Sequence, residues 1–218
     1  MAETVKINDQ PIASTFFGQG KWLTEFITPN NGDIQLLSQQ LTETVKEKEV
    51  KARACWYWVA HNVKYVPFVK ARLEVEGKVS QQKDFWGDPS LTIHTRIGNC
   101  ANKAFLLTSL LRNFIDEDNV KCVLGNLCQN GHCGGHAWVE VQGADGTYIM
   151  ESTREDIPTF IPATGLSSYD PVIYFNDKSV EAVSGKTLLI PFSAVYADWL
   201  SDYLNQAAIK GDMPWRSS

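Results

Sequence analysis

The chain has 218 residues, 44% hydrophobic and 21% charged, with 20 basic residues against 25 acidic ones and a formal net charge of -5. This is the balance of a globular chain long enough to bury a sizeable core, and it excludes intrinsic disorder. An acidic chain (pI about 5.4) with no basic block is ill suited to nucleic acid or an anionic membrane, where Lys and Arg must neutralise phosphate.

The start, MAETVKINDQ, has no basic region leading into an apolar run, and no later segment approaches the roughly 20 apolar residues that span a bilayer. The expected location is therefore cytoplasmic. Residues 1–30 lack a sustained period and read as an irregular lead-in, with Trp22, Leu23, Phe26 and Ile27 docking on the core. Ile34, Leu37, Leu41 and Val45 then recur at helical spacing after the cap residues 31–33, which predicts a helix from Asp33 to about Lys48. Ala52, Cys55, Val59 and Val63 predict a second helix over 50–63, with Pro67 stopping the chain soon after. The aromatic run Trp56-Tyr57-Trp58 within it is expected in the core, and the charged stretch 46–53 on a solvated helix end. Residues 66–99 carry Gly77, Gly87, Pro89 and Gly98 and read mostly as loop with short pieces.

A long helix starts at or just before Cys100, with Cys100, Ala104, Leu107 and Leu111 in one stripe. Strands follow at 120–126 and 136–142, then a turn at Gly143-Ala144-Asp145-Gly146 and a return strand over 147–153. Further strands are expected at 172–175 and 187–190, and a last helix at 193–209 buries Tyr196, Trp199, Leu200 and Tyr203. Helices, then strands, then a helix, with no repeat or linker, predict one α+β domain with an antiparallel sheet.

Cys100 follows Gly98-Asn99 and opens a helix, where unpaired N–H groups and the macrodipole favour a thiolate and can stabilise an oxyanion. By itself this also fits a buried structural cysteine. If the turn is centred on Ala144-Asp145, Gln142 faces Thr147, Trp138 faces Glu151 and His136 faces Thr153. His136, Trp138, Glu151 and Thr153 then share one sheet face, with His136 and Glu151 as diagonal neighbours. A carboxylate beside an imidazole fixes its tautomer and stabilises its charged form, as a thiolate partner requires. A half-buried strand pair whose polar groups merely satisfy one another gives the same pattern, and a one-residue change in the turn would move Glu151 to the other face.

The run from Arg96 to Leu107, RIGNCANKAFLL, with Leu110-Leu111-Arg112, resembles the nucleophile helix of the transglutaminase-like superfamily. Gly134-Gly135-His136-Ala137-Trp138 resembles that family's histidine strand, and Tyr148-Ile149-Met150-Glu151 the strand bearing its acidic residue. Trp58, Val63-Lys64-Tyr65 and Phe85-Trp86-Gly87-Asp88-Pro89 resemble its approach to the cysteine. The likeness covers about residues 33–155, leaving 156–218 as an elaboration. It implies a papain-like α+β fold with the nucleophile helix packed on an antiparallel sheet, and thioester chemistry. Cys100 would be the nucleophile, His136 the base and Glu151 the orienting acid, where the family usually has Asp.

The resemblance implies a cysteine peptidase or amidase acting on a peptide, protein or other amide, without cofactor or metal. Transfer of the acyl group to an amine is an alternative, and an inactive binding module on the same fold is a second. Trp86 could give an indole N–H to the oxyanion or pack in the core, and Asn99 could orient substrate or cap the helix. Cys122, Cys128, His132 and Cys133 leave open a zinc site, a Cys128–Cys133 disulfide or plain loop thiols. His61 and His94 read as surface or capping residues.

Overall fold

After a short strand near the start, helices precede most of the sheet along the chain. The computed structural model describes residues 4–6, 21–67, 71–75, 78–82, 86–129 and 131–188. A single 3₁₀ turn, Leu23–Phe26, buries Leu23 and Phe26, with Ile27 beside them, while Trp22 stays 44% exposed. Helix α1 (Gly32–Thr42) is capped by Asn31, whose side chain accepts the Asp33 N–H at 3.0 Å. It stops short of the expected Lys48 because α2 (Lys48–Asn62) begins afresh, with Glu47 in extended backbone as its N-cap.

The α2 stripe lies as expected, with Ala52, Cys55 and Val59 buried and Val63 closing the helix. Tyr57, however, is 57% exposed, so the aromatic run is only partly core. Successive helix residues turn by about 100°, and three in a row cannot face one way. The stretch expected to be loop contains short elements. They are β2 (Lys64–Tyr65), the β3–β4 hairpin (Ala71–Val75, Lys78–Gln82), α3 (Pro89–Thr95) and β5 (Ile97–Gly98). β2 and β5 pair in parallel, which ties the end of α2 to the residues just before Cys100.

Helix α4 (Cys100–Leu111) is buried at every residue and packs on an antiparallel sheet. The remaining strands are β1 (Thr4–Lys6), β6 (Val120–Gln129), β7 (His132–Gln142), β8 (Thr147–Met150), β9 (Ile161–Pro162), β10 (Tyr169–Phe175) and β11 (Val180–Val183). Their order across the sheet is β1-β11-β10-β6-β7-β8-β9. One face gives Cys122, Leu124, Ala137 and Val139 to the core around α4. The other gives Val123, Trp138 and Ile149 to a smaller cluster with Tyr169 and Tyr174, as strand alternation requires. Gly125 on β6 lies beneath the Trp138 ring: a Cβ there would stand 2.9 Å from Trp138 Cζ3 and 2.5 Å from the Asp170 carbonyl oxygen.

Two strand expectations need correction. Thr187 and Leu188 are outside any strand, and the pairing strand is β11, which a turn at Gly185 (φ 72°) follows. The lead-in supplies β1, paired with β11. The helix expected over 193–209 lies outside the described residues. Cys128 and Cys133 are directly opposed at the end of the β6–β7 pair and form a disulfide, which removes two of the four donors a zinc site there would have used. No helix among the described residues is long and apolar enough to cross a membrane.

Candidate active site

The site is built on the start of α4. Asn99 and Asn102 form a reciprocal cap: Asn99 Oδ1 accepts the Asn102 N–H at 3.0 Å and Asn102 Oδ1 accepts the Asn99 N–H at 3.2 Å. Both side chains are buried, and the pair fixes Cys100 at the first helical position. The Asn99 side-chain oxygen is thereby committed to the helix start.

β7 brings His136 to Cys100. The register expected from the turn is present, with Gln142 opposite Thr147 and Val139 opposite Met150. The ladder ends at Met150, so Glu151 leaves the strand, yet its Oε2 still meets His136 Nε2 at 2.5 Å. Cys100 hydrogen-bonds to the same imidazole. With Nε2 on the carboxylate, Nδ1 is the ring nitrogen left for the thiol. Cys100, His136 and Glu151 are 2%, 0% and 1% exposed.

Glu151 is held on all sides. Its Oε1 accepts the Thr153 N–H at 2.9 Å and the Thr153 hydroxyl at 2.7 Å. The Tyr169 hydroxyl donates to Oε2 at 3.2 Å, and the Trp56 indole N–H donates to the Glu151 carbonyl at 2.7 Å. Tyr169 was not legible as a site residue, because it stands on β10, outside every motif around the cysteine. Its bond to Glu151 and its proximity to Trp138 (ring centroids 5.1 Å apart) and His136 (6.2 Å) reveal it.

Burial is the largest influence on the His136 imidazole and pushes it down. The Glu151 charge, the hydrogen bonds the ring makes with Cys100 and Glu151, and the Cys100 charge together outweigh it and raise the imidazole to about 9. For Glu151, burial acts upward, and the His136 charge and hydrogen bond with the two Thr153 bonds bring the net direction below the usual carboxylate range. His136 is thus cationic at neutral pH beside an ionised Glu151. The other buried thiols are different: burial pushes Cys55 up to about 12 and also raises Cys122.

Trp86 packs edge-on against Phe26 (5.8 Å) and Phe105 (5.4 Å), so its position supports a core role. His94 pairs with Asp33 at 3.0 Å on the surface, and His61 stacks on Tyr57 at 3.9 Å. A polar cleft of about 870 Å³ opens beside the Glu151 loop, with Lys103, Thr153 and Arg154 on its walls; Cys100 and His136 are not among them. A thiol, an imidazole and a carboxylate in series can form a nucleophile, carry its proton and fix the carrier's orientation.

A family-wide sequence profile described as the Transglutaminase-like superfamily matches residues 35–150. A search among curated proteins finds no match. Among solved structures, the chain is similar to EGTA-treated LapG of Legionella pneumophila, at 12% identity and TM-score 0.50, covering 84% of this chain and 94% of that one. A second LapG structure from the same organism is 14% identical at TM-score 0.48, over 84% and 93% of the two chains. At this identity the first of these likenesses speaks for the fold alone.

Proposed function

From the premise that this chain belongs to the transglutaminase-like superfamily, we propose that it hydrolyses an amide or peptide bond through a thioester on Cys100. The observation that carries this reading is the buried series Cys100–His136–Glu151, with the imidazole between the thiol and the carboxylate. His136 enters the reaction as an imidazolium paired with the Cys100 thiolate, and Glu151 stabilises that imidazolium. The thiolate attacks the carbonyl carbon, and backbone N–H groups at the start of α4 face the developing oxyanion. Collapse breaks the C–N bond, His136 protonates the leaving amine, and the acyl group stays on sulfur. Water, deprotonated by His136, then adds to the thioester, releasing the acid and the Cys100 thiolate, with the proton kept on His136.

The substrate class is a peptide, protein or other amide. The test is incubation with a complex peptide mixture, followed by mass spectrometry for new termini, with Cys100→Ala alongside. Cleavage that Cys100→Ala abolishes supports the reading. An added primary amine that appears coupled to the new acyl ends would replace hydrolysis by transfer. No cleavage, together with slow iodoacetamide labelling of Cys100 that His136→Ala leaves unchanged, would sink both and favour a binding module.

A further inference from the structure

Lys103 is buried in the same helix turn as Cys100 and has no part in the reaction just described. Its side chain is 1% exposed, although lysine is almost never fully buried without a counter-charge. Its Nζ donates to the Ala60 carbonyl at 3.2 Å and the Val63 carbonyl at 2.8 Å, at the C-terminal end of α2. Those partners are neutral. Among the described residues no carboxylate forms an ion pair with it, yet Glu151 and Glu155 both act on its charge.

We propose that Lys103 is a positioning residue for the Cys100–His136–Glu151 group, its buried ammonium supplying the fourth charge that makes the assembled site neutral. The inference rests on the cysteine-hydrolase reading. A thiolate, an imidazolium and a carboxylate sum to one uncompensated negative charge in a site with almost no solvent, which is costly. Lys103 cancels it. The other charges near Lys103 cannot do so as well. From α2, His61 lies 3.9 Å from Glu155; from the loop after β8, Arg154 is paired with Asp156. From β2, Lys64 is exposed, and from the α3–β5 link, Arg96 stacks over Trp58 at 4.3 Å. Burial lowers the Lys103 ammonium to about 8, against the opposing pull of Glu151 and Glu155, so it is charged at neutral pH.

The test follows Cys100 alkylation by iodoacetamide against pH, in the full chain. Lys103→Met is expected to slow labelling at pH 6 by tenfold or more and to leave the alkaline plateau unchanged. In a Glu151→Gln background, where the negative charge is already gone, the same substitution should cost less than half as much on a logarithmic scale. A purely structural role would slow labelling equally at every pH and regardless of Glu151, and that result overturns the proposal. If Lys103→Met does not fold, seen as labelling of Cys55 and Cys122, the unmodified chain still decides. His136 ring resonances in NMR should show a step near pH 8 as Lys103 loses its proton, moving to lower pH in Glu155→Gln. Absence of that step overturns the proposal. The step reads the coupling whether or not Cys100 is a nucleophile, so it separates this inference from the hydrolase reading.

Discussion

At the scale of single residues, the site is a set of charges that are stable only together. Glu151→Gln removes the charge that holds His136 up and is expected to cut turnover by about 10²–10⁴-fold, with the fold retained; steady-state kinetics on a cleaved peptide checks it. Tyr169→Phe deletes one of four hydrogen bonds to that carboxylate and should cost far less, about tenfold or below. On the proposed hydrolysis, turnover should fall as pH rises through about 9, where His136 would have no proton for the leaving amine. Stability follows the same group. Between the ordinary 6.5 and about 9, the folded chain keeps a proton that the unfolded chain has released. The His136 contribution is therefore complete below that window and is lost as pH rises through it. Glu151 contributes in the opposite sense, fully above its ordinary 4.5 and lost as pH falls through its lower folded value. Urea titrations at pH 6, 7.5 and 9.5 should show stability declining across the three.

At the scale of elements, α4 joins core and chemistry. Every one of its residues is buried, so its start is fixed by packing from behind and by the Asn99–Asn102 cap in front. Asn99→Ala should lower stability by about 0.5–2 kcal/mol, seen as a lower Tm, and slow Cys100 labelling by loosening the helix start. This element was legible because a Cys, Ala, Leu, Leu stripe has only one reading at helical spacing. The turn at Ala144-Asp145 was legible for a similar reason, and it carried the His136–Glu151 contact with it. The end of α1 was not legible. Val45 continues the apolar period, and only the need of α2 for an extended Glu47 breaks it. β11 was hidden because four residues, Val180–Val183, give too short a pattern to outweigh the apolar run at 187–190.

At the scale of the molecule, the sequence motifs accounted for the middle of the sheet and left its flank unread. β10 comes from outside the motif-bearing region, yet it brings Tyr169 to the acid, so the site's support reaches past the segment that resembles the family. The Cys128–Cys133 bond closes the β6–β7 end just before Gly134-Gly135-His136. Such bonds persist in oxidising compartments, whereas the sequence's start led to a cytosolic expectation. A thiol count separates the two. Protein denatured directly into iodoacetamide should carry three alkylated cysteines if the bond is closed in its native compartment, and five if it is open. The glycine beneath Trp138 has a consequence of another kind. Gly125 faces His136 across the ladder, and the indole stacked on that imidazole occupies the room a side chain would take. Gly125→Ala would drive the ring toward the histidine. In a saturation scan scored for turnover, a position that bears no reactive atom should be as intolerant as the acid itself.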